Sequence, residues 1–192
     1  MGHLKTWFLE QWKDKKFRAF TIFTVITTIL LCAEFCLFEY SVLKILRYLV
    51  LYIALYVIAW IDGKTKIIPN KILLTLMSVR TIILVVECIV YRDLWLTFLM
   101  TFAGGLLIGG GVFLCCYLIT RGSVGAGDVK LFGVLGYYFG TSAIFTNIFL
   151  TVVCSAFYSI IQLILKRKGL KEEIPFAPFV FVGTLVTMAL GV

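Results

Sequence analysis

Long apolar runs separated by short, charge-bearing breaks dominate the chain. Seven stretches, 17–38, 42–61, 72–91, 95–119, 129–140, 143–165 and 175–192, consist almost entirely of apolar side chains. A helix crossing a hydrocarbon layer of about 30 Å at 1.5 Å per residue needs about 20 such residues. The stretch 129–140 is short, and its border with the next runs through Thr141 and Ser142. The pattern predicts an all-α polytopic membrane protein of about seven transmembrane helices (six to seven). It is expected to form a single membrane-embedded domain over 1–192, with no internal repeat and no soluble domain.

The breaks give an orientation. Fourteen Lys and Arg precede the first run or fall in the second, fourth and sixth connections, whereas only Lys44, Arg47 and Arg92 fall in the others. By the positive-inside rule the N-terminus is expected to be cytoplasmic. The first run is too long for a signal-peptide core and lacks an A-x-A-like exit, so it is expected to remain as a helix. Ahead of it, in the basic segment 1–16, Leu4, Phe8 and Trp12 recur every four residues among lysines. That spacing fits a helix lying on an anionic leaflet as well as it fits a basic tail.

Composition agrees with the pattern: 61% hydrophobic, 15% charged and mean hydropathy +1.04. The net charge of +8 follows from membrane topology, so no nucleic-acid partner is called for. The lone histidine, His3, lies in the N-terminal segment. This excludes HExxH zinc sites and Ser-His or Cys-His dyads within the membrane. All six cysteines fall within apolar runs without a C-x-x-C pair and read as packing residues.

Of four aspartates, Asp14 and Asp93 sit among solvated charges, whereas Asp62 ends the second run and Asp128 opens the fifth. Either alone reads equally well as an interfacial anchor. Two carboxylates on separate helices at matching depth are also the parts of an aspartyl protease, one neutral to donate and one ionised to activate water. Such a pair titrates as a unit. Asp62 stands at a helix C-terminus and Asp128 at an N-terminus, which by dipole alone favours Asp62 as the protonated partner, with Lys64 and Lys66 opposing that bias. The glycines of Gly122-Ser-Val-Gly125-Ala-Gly127 permit close approach of an extended chain. A P-loop is excluded, because Asp128-Val129 stands where Lys-Ser/Thr is required.

Gly125-Ala126-Gly127-Asp128-Val129-Lys130 resembles the G-x-G-D-x-K motif of type IV prepilin and preflagellin peptidases, which are intramembrane aspartyl proteases. Asp62 through Ile68-Pro69-Asn70 is similar to the family's D-x5-I-P-N/D stretch. Ile174-Pro175-Phe176-Ala177-Pro178-Phe179 is similar to its late P-F-x-P-F segment, with Ala177 in place of an expected Gly. The resemblance implies removal of a short basic leader from pilin-like precursors, just before their hydrophobic helix, at the cytoplasmic face of a prokaryotic inner membrane. Asp62 and Asp128 would be the catalytic pair, with Gly125, Gly127, Lys130, Ile68, Pro69, Asn70, Pro175, Phe176 and Pro178 shaping the site. No metal or cofactor is implied; the partners would be the precursors and the lipid bilayer. Larger members carry a four-cysteine cytoplasmic insertion and methylate the product. Here residues 39–41 form a bare turn, which puts methyl transfer in doubt.

The remaining signals have plainer readings beside functional ones. Lys130, about 200° round a helix from Asp128, is expected to bind a substrate acid or lipid phosphate, or to mark the boundary. Arg80, deep in the third run, is expected to pair with Glu87 or a carbonyl before the alternative, reaching polar groups below the catalytic layer. Gly105-x3-Gly109 is expected to serve internal packing before homodimerisation, and oligomeric state is not readable. Two other classes stand beside the protease: a proton-coupled transporter, disfavoured because the aspartates sit at one face, and a noncatalytic pilus-assembly subunit. A presenilin-like protease ranks lower, since Ile61 replaces the usual tyrosine and P-A-L is missing.

Overall fold

A computed structural model describes residues 11, 14–121, 124–165 and 174–191, so the expected interfacial segment 1–16 lies almost wholly outside them. The chain divides after Tyr40 into two compact units. The first contains α1 (Lys15–Leu37), in which Thr21, Thr24 and Thr28 donate to carbonyls four residues earlier at 2.7–2.8 Å. Hydroxyls satisfied within their own helix leave no polar group to be met by hydrocarbon.

The second unit contains α2 (Val42–Thr65), α3 (Asn70–Val90), a 3-10 turn (Arg92–Leu94), α4 (Trp95–Ile119), α5 (Ala126–Ile164) and α6 (Ala177–Ala189). Ser41 caps α2 by accepting the Lys44 N–H, and Pro69 stands before α3, where its missing donor costs nothing. Among the described residues five helices, α1 to α5, are long and apolar enough to cross a membrane. The protein is an all-helical, multi-pass membrane protein.

The fifth and sixth expected spans are both in α5, whose helix breaks at Gly140, one residue before the expected border. Gly140 has φ 80° and ψ −171°, a conformation closed to residues with a Cβ. The chain reverses there. Gly109 of α4 packs against the Phe132 carbonyl on the first limb and against Ile144 on the second, so the second limb returns alongside α4. A Cβ on Gly105 would strike the Gly136 carbonyl, and one on Gly136 the Gly105 carbonyl. The small-residue spacing in the fourth run therefore serves internal packing, as expected from sequence.

The seventh span differs from expectation. Instead of an apolar helix over 175–192, α6 has 13 residues, or roughly 20 Å, short of a full crossing. Its start is fixed by the proline-bearing segment, and Gly191 at φ 70° ends it. Its apolar side chains face protein: Val180, Phe181 and Met188 are buried, and Asn147 from the second limb donates to Thr184 at 3.0 Å. Hydropathy registered an apolar segment without distinguishing core from lipid.

Arg47, counted among outer-connection charges, is buried on α2 and pairs with Glu87 at 3.2 Å. Arg80 meets the other Glu87 oxygen at 2.9 Å and donates through Nε to the Tyr137 carbonyl at 3.0 Å. This meets both expected options for Arg80, the acid and the carbonyl. Phe102 of α4 lies against both guanidiniums, 4.1 Å from Arg80 and 4.8 Å from Arg47. Removing one member of a buried pair leaves uncompensated charge and costs about 3–5 kcal/mol. Glu87→Leu, which strands two guanidiniums at once, is expected to fall in that range, read as a lowered unfolding midpoint in detergent. An unchanged midpoint would show that the cluster does not hold α2 to α3.

Candidate active site

Asp62 lies in the last turn of α2, where its carbonyl accepts the Lys66 N–H at 2.8 Å and Lys66 closes the helix in the left-handed region. The residue is 5% exposed. Oδ2 accepts the Ala177 N–H at 2.9 Å, a donor that belongs to the first turn of α6. The first amides of a helix have no intrahelical acceptor, and they carry the positive end of its dipole. The Ala177 amide supports an ionised Asp62 against the larger cost of burying that charge. The start of α6 is held by Phe176, whose ring packs 6.0 Å from both Phe113 and Phe132, themselves stacked at 3.7 Å.

Asp128 lies in the first turn of α5, its N–H donating to the Gly125 carbonyl at 3.0 Å. The carboxylate folds back over Gly125 so closely that a Cβ there would sit 2.9 Å from Oδ2. Gly127 meets the Ile68-Pro69-Asn70 stretch: a Cβ on it would lie 3.1 Å from the Ile68 Cβ. Ile68 is buried and fills the space a side chain on residue 127 would take. The two glycines thus have separate uses, one admitting the carboxylate and one admitting Ile68.

Both aspartates line one cleft of about 440 Å³. Its walls come from three distant stretches: Asp62 with Lys66 to Ile68 and Asn70, Gly125 to Asp128 with Lys130, and Ile174 to Phe176. Lys130 turns away from Asp128, as its helical position predicts, and donates to the Asn70 side chain at 3.1 Å. That bond ties the start of α3 to the start of α5. Among the described residues no three His, Cys, Asp or Glu converge as a metal site would require.

Every site residue singled out from sequence lines the cleft except Pro69 and Pro178. Pro178 occupies the first turn of α6, where its missing N–H goes unnoticed; Pro175 precedes the helix and lines the cleft. Sequence reasoning missed the Ala177 N–H, since a backbone donor leaves no mark on residue identity. Lys66, weighed from sequence only as a charge near Asp62, and Ile67 also line the cleft.

The sequence model describing the type IV leader peptidase family matches residues 49–160. A prepilin leader peptidase/N-methyltransferase of Bacillus subtilis is 30% identical over 138 residues, covering 71% of this chain and 52% of that protein. A protein of the same name from Burkholderia pseudomallei is 29% identical over 145 residues, covering 72% of this chain and 44% of that protein. The chain thus spans about half the length of the curated relatives it matches. No solved structure matches it significantly. Since the matched region takes in more than half of the 192 residues and contains both aspartates, the chain belongs to the type IV leader peptidase family.

Proposed function

We propose that this protein is an aspartyl endopeptidase that removes the basic leader from type IV pilin-like precursors, with Asp62 and Asp128 as its catalytic pair. The observation that carries this reading is the convergence of two carboxylates from separate helices on one cleft rimmed by glycine backbone. A transporter needs its acidic groups on a path through the molecule, whereas both of these stand at helix ends on one side of the second unit. The excess of Lys and Arg in the connections on that side supports a cytoplasmic cleft and a cytoplasmic N-terminus, in the inner membrane of a prokaryote.

The mechanism assigns the proton opposite to the helix-end argument. Asp62, which accepts the Ala177 amide, is the ionised base; Asp128 is the protonated acid. Asp62 takes one proton from water as its oxygen bonds to the scissile carbonyl carbon. Asp128 hydrogen-bonds the carbonyl oxygen and then delivers its proton to the departing nitrogen as the C–N bond breaks. One water is consumed, and passage of the proton from Asp62 to Asp128 restores the starting state of the pair. Gly125 to Gly127 present backbone to an extended leader, and Lys130 with Asn70 closes one end of the cleft. Methyl transfer is outside the proposal: residues 38–41 are a bare connection, and the six cysteines all lie in helices.

Asp62→Asn and Asp128→Asn are each expected to lower cleavage of a prepilin by at least about 10²-fold, the low end of what a positioned acid or base contributes. Mass spectrometry of the new N-terminus reads this directly. Folded variants that cleave like wild type would remove the pair from the mechanism, while loss of pilus assembly with cleavage intact would favour a noncatalytic assembly subunit.

The protonation states predict the pH profile. A base must be ionised, so activity rises with pH through its titration; an acid must be protonated, so activity falls above its own. The wild-type profile of kcat/KM is expected to be a bell. The residual activity of Asp128→Asn should keep the acid limb and lose the alkaline one. Loss of the acid limb instead would return the proton to Asp62.

A further inference from the structure

A second cavity, of about 500 Å³, opens between α3, α4 and the first limb of α5. Its walls are apolar, with Leu73, Met77, Leu106 and Val134 among them, and Gly110 and Gly133 form its floor. Asn70 and Lys130 line this groove as well as the aspartate cleft, so their 3.1 Å hydrogen bond is a sill between the two. We propose that this groove binds the first turns of the apolar helix that follows the scissile bond of the precursor. The inference rests on the peptidase reading and extends it to the part of the substrate that is not cut.

Three features commit the groove to that occupant. It is continuous with the cleft across one hydrogen-bonded pair, so a chain leaving Asp62 and Asp128 over the sill enters it within a few residues. Its lining changes from the charged and glycine-rich rim of the cleft to aliphatic side chains, the same change that a basic leader joined to an apolar helix makes along its own length. Its floor is backbone: a Cβ on Gly110 would lie 3.5 Å from the Gly133 Cα, and beyond this contact neither residue fills the groove. Faces of small residues are how helices approach closely where lipid removes any hydrophobic preference for protein. A flexible acyl chain has no need of such a floor.

The test uses two substrates: a prepilin with leader and apolar helix, and a soluble peptide that ends just past the cleavage site. Gly133→Leu adds a side chain at a position where a Cβ meets its nearest neighbour at an ordinary 3.7 Å, so the helix pair can accept it and the rest projects into the groove. Gly133→Leu is expected to reduce the ratio of kcat/KM for the prepilin to that for the peptide at least tenfold. Ile82→Trp, on the exposed face of α3 away from the groove, should leave the ratio unchanged. An unchanged ratio in Gly133→Leu overturns the proposal.

A photo-crosslinker at Met77, placed in full-length Asp128→Asn, reads docking without turnover and so does not depend on the catalytic assignment. Crosslinks to the first turns of the prepilin helix are expected, and crosslinks solely to lipid or to α1 of the same chain overturn the groove assignment. If wild type cleaves neither substrate while the crosslink forms, the peptidase reading fails and the docking site stands.

Discussion

Where the helix carrying Asp128 stops at Gly140, its last carbonyls lose the amides that a continuing helix would have offered, and the Tyr137 carbonyl is taken by the Arg80 guanidinium. In hydrocarbon a carbonyl without a partner costs several kcal/mol, so the reversal at Gly140 is tenable only with a donor brought from elsewhere. Arg80 brings that donor and also a charge, which needs Glu87; Glu87 in turn meets Arg47. One turn in the backbone thus requires an ionic cluster spanning α2 and α3, wrapped around the Phe102 ring of α4. A cation at a helix C-terminus is also favourably placed against the dipole.

That cluster fixes the far end of the first limb, and two bonds fix the rest. Tyr138 donates to the Leu76 carbonyl at 2.9 Å, and Lys130 donates to Asn70 at 3.1 Å. Three contacts spread over about 15 Å of α3 hold it parallel to the limb. Asp128, two residues from Lys130, inherits its position from this seam. Asp62 inherits its position from a different one, through Ala177, Phe176 and the stacked pair Phe113 and Phe132. The aspartates are therefore set by two networks that meet in α5, where Phe132 and Tyr138 lie on the same limb.

How much of this was legible in the sequence depends on which physical property each residue advertises. The first four spans and the break near Thr141 announce themselves by apolar length, and the close packing of α4 by the spacing of Gly105 and Gly109. The two aspartates were legible because charge at the end of an apolar run is costly and needs a reason. Arg47 was misplaced because nothing local distinguishes an arginine in a short connection from one two turns into a helix; only Glu87, 40 residues away, makes the difference. The last helix was overlong in the sequence reading because window hydropathy counts apolar residues and ignores caps. The Ala177 amide was invisible because side-chain identity carries no information about which backbone donors a fold leaves open, and the proposed placement of the proton on Asp128 rests on it.

The junction of cleft and groove also bears on why cleavage would occur at one bond. An extended leader makes no demand on register, since any of its peptide groups can lie between two carboxylates. A helix does: once its first turn is seated on a floor of glycine backbone, the residues before it are at fixed distances from that turn, at about 3.3 Å per extended residue. On this reading the apolar helix acts as the ruler, the hydrogen-bonded pair Asn70 and Lys130 marks the change from extended to helical chain, and the aspartates cut whatever bond lies at the set distance beyond it. Specificity then resides less in the sequence of the leader than in where the substrate's helix begins. Insertion of one residue between leader and helix should move the cut by one residue, keeping its distance from the helix constant, which N-terminal sequencing of the product would reveal.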